Sequence, residues 1–523
     1  MQYIAALDVG TTTVRCFVLN ENCEIKGSSV QLVELLNPKP GYFEIEPEAL
    51  WSKIVAVIED AVKVAQIRPD QLSCFGISSQ RCTFLTWNHL TQEYYQNFIT
   101  WKDLRADFMV DEWNGSYTLK ALKGFSYVLY LLTRSSRFLA GSFLKMMNGQ
   151  VTLRLLHEIQ RNDRLRAKIK LKKARIELLD SWILYKLRSG NGKEPNVEHI
   201  SDITSCTATG LFDPFILNWS PIMKLIFGIE STLLPKFVNN AYKSLGFVHP
   251  ACFTTVDWQN THIPITSSTS DQTAAIFGNQ CFSKDDVKIT MGTGAFLNLI
   301  TGTNCQASLK GMYPLVAWQF KNQTVYCVEG AVHDIGTIIS WGKHCGLYTD
   351  PIETSSIAES VKDSDGVFFI PAFSGLGAPL NDHKAASGFI GIKPSTNRCH
   401  LVRALLESIV FRLVLLCETA EQESKRQIKV LRVDGGVSRN SFICQFLANA
   451  TGKQVERPQC PESSIMGVCF AAGFNYGLWK TLSEIRKFRK IDRLFDPCVE
   501  EYEANRKLLN KWLKAVERFG NWY

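Results

Sequence analysis

The chain carries one local pattern twice, far apart. Near its start, "YIAALDVGTTTVRCFVL" runs an apolar segment into Asp8, turns through Gly10, Thr11, Thr12 and Thr13, and leaves on a second apolar segment bearing Arg15. In the second half, "DVKITMGTGAFLNLITG" (286–302) does the same around Gly292, Thr293, Gly294 and Ala295. Both read as strand, tight turn, strand. A chain of 523 residues is too long for one core. The recurrence therefore predicts two domains of similar build, 1–280 and 281–523.

The flanks extend the likeness. Strands are expected over 3–10, 14–19 and 25–33, with a loop over 38–47. Apolar residues at Leu50, Ile54, Val57, Ile58, Ala61 and Val62 predict a helix over 48–65, and 72–78 reads as a buried strand. In the second half, "LVAWQF" and "TVYCVEG" form a hairpin around "KNQ", and a helix follows Val332. A strand over 366–373, a long helix over 400–423, a strand over 428–436 and a helix over 440–452 complete it. "SSTSDQTAAIFGN" (267–279) lies at the seam. No low-complexity linker separates the halves, so a cleft between two α/β lobes is expected.

Composition excludes several classes. A formal charge of +8 is mild at this length and makes no case for nucleic acid. The basic run over 154–175 reads as a solvated helix face. Sixteen Cys without a C-x-x-C pair argue against zinc ribbons and disulfide scaffolds, and for reduced thiols in a cytoplasmic protein. The most apolar stretch (124–149) is cut by Arg134 and Arg137, so no transmembrane segment is expected. Strand residues begin almost at Met1, leaving no room for a signal peptide, and the sequons at Asn114, Asn218 and Asn322 are expected to go unused.

Turns of small residues let successive amides converge on an anion. The two turns, facing each other, could clamp a triphosphate. Asp8 suits Mg²⁺, which takes one or two carboxylates and keeps its waters. Arg15 can neutralise phosphate charge. Neither G-x-x-x-x-G-K-[ST] nor G-x-G-x-x-G occurs, so a nucleotide would bind by another route. In "VLRVDGGVSRNSF" (430–442), Gly435 and Gly436 could admit a flat ligand such as adenine, while Asn440 suits a helix cap.

Taken in series, "ALDVGTTTVR", "PKPGYFEIEPEALW", "GISSQR", "ITWKDLR", "ATGLFDP", "SDQTAAIFGN", "MGTGAF", "IPAFSGLGAP", "GFIGIKPSTNRCHLVRALLES" and "RVDGGVSRNSF" resemble the FGGY family of carbohydrate kinases, and within it the glycerol kinases. The resemblance spans about residues 3–515. It implies two ribonuclease-H-like (actin/hexokinase-type ATPase) domains flanking a cleft, and transfer of phosphate from ATP, with Mg²⁺, to glycerol, giving sn-glycerol 3-phosphate and ADP. By the same resemblance Asp271 is the general base, its alternative being an N-cap for a helix starting at Gln272. Arg81, Trp101, Gln272 and Phe296 contact the polyol. Thr11, Thr12, Arg15, Thr293, Gly336, Gly436 and Asn440 contact the nucleotide, and Asp8 serves the metal. A homodimer is compatible with it.

Three departures stand out against the family pattern. Cys82 replaces a Glu that accepts from two glycerol hydroxyls. "NGQVTLRLL" (148–156) replaces a segment whose Tyr contacts glycerol. Ser340 replaces a Gln set against the nucleotide. Another polyol or sugar is therefore a second expectation for the acceptor. A non-catalytic binding protein of lipid metabolism is a third, and an actin- or chaperone-type ATPase a fourth.

Overall fold

The computed structural model describes residues 2–194, 196–238, 245–320 and 323–523. The sequon at Asn322 and the tip of the "KNQ" hairpin lie outside them. The chain divides into two compact units. Unit 1 holds residues 1–280, 315–326 and 464–488; unit 2 holds 281–314, 327–463 and 489–523. The second-half hairpin and a late segment thus belong with the first unit, an exchange no local pattern announces. In unit 1 Phe320 packs edge-on to both Phe277 and Phe474, with ring centroids 5.3 and 5.4 Å apart.

Unit 1 is built on a six-stranded sheet, in the order Phe247–Val248, Ile263–Ser270, Leu72–Ser79, Tyr3–Val9, Thr13–Asn20, Ile25–Leu32. The first three strands of the chain form the expected antiparallel meander. Strand Tyr3–Val9 is buried along almost its whole length because Leu72–Ser79 lies parallel beside it, within a sheet whose helix Pro47–Val64 supplies Leu50, Ile54, Val57 and Ile58 to the core. Gly27 is required where that helix crosses: a Cβ there would stand 2.2 Å from the Ala61 carbonyl oxygen.

Unit 2 repeats the plan. Its sheet runs from residues 327–332 through Ala295–Gly302, Val287–Met291, Val430–Asp434 and Gln454–Pro458 to Ile491–Phe495. Val287–Met291 is antiparallel to the strand after its turn and parallel to Val430–Asp434, matching the pairing of Tyr3–Val9 in unit 1. Helix Arg398–Ser424 packs against this sheet through Leu405, Ile409, Leu413 and Leu416.

Two expectations change. The strand expected over 366–373 shortens to Phe368–Ile370, because Pro371 has no N–H to continue a ladder. The basic run over 154–175 is not one solvated helix. It spans helix Val151–Arg161, helix Asp163–Lys170 and strand Ala174–Leu178, and Arg154 is fully buried. Among the described residues no helix is long and apolar enough to cross a membrane.

Candidate active site

Three parallel strands of unit 1 end on one row. Val9 pairs with Ser79, and Ser79 with Ser270. The residues just beyond that row are Gly10-Thr11-Thr12, Gln80-Arg81 and Asp271-Gln272. Sheet register alone therefore gathers the first turn, the arginine and the aspartate at the carboxyl ends of the strands, where ligands of open α/β sheets bind.

The side chains then interlock. The Thr11 hydroxyl donates to Gln80 Oε1 at 2.9 Å and accepts from the Trp101 indole N–H at 2.9 Å. The Gln80 amide returns a bond to the Gly10 carbonyl at 3.2 Å. Trp101, expected to contact an acceptor alcohol, is thus bonded to the turn expected to contact phosphate. Its loop is held by buried Arg105, which bonds Asp103 at 2.8 Å, Glu158 at 2.9 Å and Glu44 at 2.6 Å. That ties "FEIEP" to "TWKDLR", two segments that sequence reading singled out without a reason for their pairing.

Asp271 opens helix Asp271–Gly278, and the N-cap position falls to Ser270. The helix does not start at Gln272. Asp271 Oδ1 accepts from the Gln272 N–H at 2.8 Å and lies 3.7 Å from Arg81 Nε. Its side chain keeps 28% exposure, against 8% for Arg81, so the carboxylate stays open on one side. Behind it the Ser270 N–H donates to the Thr204 hydroxyl at 2.9 Å, and Thr204 leans on Asp202. Asp202 in turn donates its N–H to Asp180 at 2.7 Å. Burial pushes the Asp180 carboxyl up to about 6, and raises Asp202 well above the usual carboxylate range. The partners of Asp180, Ser201 and Asp202, lie 21 and 22 residues further along the chain, beyond the reach of a local sequence pattern.

Asp8 is 2% exposed. One oxygen, Oδ2, accepts from Arg15 Nε at 3.0 Å and from the Ser464 hydroxyl at 2.9 Å. Cross-strand register places Asp8 opposite Arg15, which explains the pairing. The other oxygen, Oδ1, is buried and has no hydrogen-bond partner among the described residues. One carboxylate oxygen left over in a polar setting fits Mg²⁺ held largely through water. Among the described residues no group of three or more His, Cys, Asp or Glu is placed to cage a metal.

In unit 2 backbone replaces side chain. The Gly336 N–H donates to the Thr293 carbonyl at 2.9 Å, seating helix Ile335–His344 on the second turn. A Cβ on Gly336 would lie 3.0 Å from both the Gly292 oxygen and Thr293 Cα. Gly294 is equally tight against the Val332 oxygen, at 3.0 Å. Gly10, Gly292 and Gly294 are absent from the positive-φ positions; Gly294, and Gly10 at 3.3 Å from the Thr13 oxygen, serve close approach, not left-handed backbone. Gly435 does need it: φ is +85°, and a Cβ there would stand 2.5 Å from the Met291 oxygen. Its partner is the chain's own backbone. Among the described residues Gly436 has nothing within 4 Å of where its Cβ would be, and so is the one of the pair open to a ligand. Asn440 caps helix Ser441–Thr451 by accepting from the Ile443 N–H at 3.0 Å, and its amide donates to Thr354 at 2.9 Å. Phe296 sits half-buried on the second turn's outgoing strand, opposite Thr290. Thr12 is exposed at the tip of the first turn. Ser340 is exposed on helix Ile335–His344.

Residues 3–278 match the model of the FGGY family of carbohydrate kinases, N-terminal domain, and residues 287–476 that of its C-terminal domain. The chain belongs to the FGGY family of carbohydrate kinases. It is 40% identical to glycerol kinase 5 of Bos taurus, covering 100% of this chain and 96% of the relative. It is 30% identical to a glycerol kinase of Haloarcula marismortui, over 99% of this chain and 98% of that one. A crystal structure of Plasmodium falciparum glycerol kinase with ADP matches with a TM-score of 0.85 and 27% identity, covering 99% of this chain and 98% of that chain. The two-domain α/β fold of this FGGY kinase is therefore shared with solved glycerol kinases.

One residue that sequence reading missed anchors the backbone beside Arg81 and Trp101. Arg154 lies in the segment that departs from the family pattern. Among the described residues it has no carboxylate partner, and its guanidinium donates to the carbonyls of Asn148, Gly149, Gln150, Thr100 and Cys82. It thereby fixes the backbone next to Trp101 and next to Arg81. Burial lowers its pKa to about 10. Cys82 takes a left-handed φ of +58° and points its thiol at the Ala208 carbonyl, 3.2 Å away.

Proposed function

We propose that this kinase transfers the γ-phosphoryl group of ATP to a hydroxyl of glycerol, releasing ADP and sn-glycerol 3-phosphate. The observation that carries the reading is the single row of strand ends, which sets the partly open Asp271 carboxylate beside Arg81 and on the same edge as the Thr11–Trp101 pair.

Asp271 accepts the proton of the attacking hydroxyl as its oxygen bonds to phosphorus and the bond to the ADP oxygen breaks. Arg81, Gln272, Trp101 and Phe296 orient the polyol. Thr11, Thr12, Arg15, Thr293, Gly336, Gly436 and Asn440 hold the nucleotide; for Asn440 the contact falls to atoms not engaged in capping. Asp8 Oδ1 and its waters would hold Mg²⁺, which supplies charge neutralisation at the phosphates when bound. Positioning and neutralisation suffice for a phosphoryl transfer, and no covalent enzyme intermediate is needed.

A second reading keeps the chemistry and changes the acceptor to another polyol or sugar. It is favoured by Cys82, a weak acceptor whose thiol is directed at Ala208, where glycerol kinases place a glutamate. The test is ADP release by the purified chain with Mg-ATP and a panel of alcohols including glycerol, alongside Asp271→Asn. Turnover with glycerol, lost in the variant, is expected. Turnover with another alcohol but none with glycerol overturns the first reading in favour of the second.

A further inference from the structure

Residues 117–145 contain Lys120, Lys123, Arg134, Arg137 and Lys145, and no aspartate or glutamate. They form helix Tyr117–Thr133, a left-handed Arg134, and helix Ser136–Ser142 folded back upon it. The two helices meet closely: a Cβ on Gly141 would stand 2.8 Å from the Ser126 hydroxyl. On the first of them only Leu119 and Ser126 are buried. Tyr117 is 90% exposed, Phe125 62%, Val128 51% and Leu132 76%, and Phe143, just past the second helix, 49%. A helix of a globular domain turns its apolar stripe inward; this one carries much of it outward. Contiguous exposed apolar surface of this kind marks an interaction site.

The charges say what would cover it. Arg137 pairs with Asp213 at 2.7 Å and tethers the second helix to unit 1. Among the described residues Lys120, Lys123, Arg134 and Lys145 have no acidic partner; Lys120 and Arg134 lie instead over the rings of Tyr117 and Tyr130. Burial and the neighbouring charge of Lys145 lower the pKa of Lys123, so these two cations lie close to each other. A second copy of the chain would bring the same positive surface, and a two-fold pairing would set cation against cation. An anionic bilayer offers both complements at once, an acyl boundary for the aromatic and aliphatic side chains and headgroup phosphates for the bases.

We propose that the hairpin 117–145 is an interfacial anchor that lies on an anionic lipid bilayer. It does not span the membrane, and it works independently of the substrate assignment above. The test is co-sedimentation of the purified full chain with vesicles of phosphatidylcholine alone and with about 30 mol% phosphatidylserine. Binding to the anionic vesicles is expected at least about tenfold tighter than to neutral ones, weakening with added salt. Phe125→Ser with Leu132→Ser should reduce it about tenfold, and Lys120→Gln with Lys123→Gln by a similar factor. Because all four side chains lie on the hairpin's surface, thermal unfolding should match the parent, and phosphoryl transfer in solution should be unchanged. Failure to bind anionic vesicles, or binding that neither pair of substitutions weakens, overturns the proposal. So does a dimer of the parent chain that Phe125→Ser with Leu132→Ser dissociates, since the face then belongs to a second copy.

Discussion

The two units carry the same strand–turn–strand device and stabilise it by different means. Around the first turn, side chains hold the geometry: Thr11 to Gln80 and Trp101, Arg15 to Asp8, Arg154 to five carbonyls. Around the second, backbone closes on backbone, and Gly294, Gly336 and Gly435 leave no room for a Cβ. The first arrangement can be loosened one bond at a time. The second tolerates little, because a methyl group set against a carbonyl oxygen cannot rotate away.

The largest effect should come from Asp271, the proposed base. Asp271→Asn removes the proton acceptor while keeping the bond from the Gln272 N–H, so the fold should hold and kcat should fall about 10²- to 10⁴-fold. Steady-state kinetics beside a melting curve checks both halves. An unchanged kcat would detach the row of strand ends from the chemistry.

Arg154→Met comes next and probes the side-chain-built region. Five carbonyls would lose a fully buried donor, at a cost of about 4 kcal/mol. Denaturant unfolding should show it, with KM for the alcohol rising more than KM for ATP, since Arg81 and Trp101 flank the anchored backbone. A loss of stability with both KM values unchanged would reduce Arg154 to a core residue.

Gly435→Ala tests the backbone-built region. With φ at +85° and the Met291 oxygen 2.5 Å from the new atom, about 2–3 kcal/mol of stability should go, and nucleotide affinity with it. Calorimetric titration with ATP is the readout. If alanine is accepted at Gly435 without cost, the contrast between the two turns fails.

Thr11→Val should be the mildest. It deletes the hydroxyl that joins Gln80 to Trp101, worth about 1–2 kcal/mol. Because that hydroxyl bridges both sides of the site, KM should rise a few-fold for ATP and for the alcohol together. A rise confined to ATP would show that the Thr11–Trp101 bond does not couple them.

How much could be read beforehand follows the range of the interactions. The meander over the first thirty residues, the helix at Pro47–Val64 and the long helix at Arg398–Ser424 were legible because apolar periodicity and turn residues are local. The burial of Arg154 was not legible. Its acceptors at Thr100 and Cys82 lie 54 and 72 residues away, and a run of basic residues looks solvated until such partners are known. Gly435 and Gly436 were legible as a pair meant for close approach. That Gly435 answers to Met291 and only Gly436 is open depended on the parallel pairing of two strands far apart in sequence.

The sequence by itself determined the duplicated strand–turn–strand plan and the residue types that kinase chemistry needs, because both reside in short contiguous segments. Tertiary structure alone decided which of those residues stand together. Parallel register aligned Val9, Ser79 and Ser270; contacts between distant segments placed 315–326 and 464–488 in the first unit and left the hairpin 117–145 with its apolar face outward. Such outcomes depend on contacts between distant parts of the chain, whose free energies no local pattern encodes.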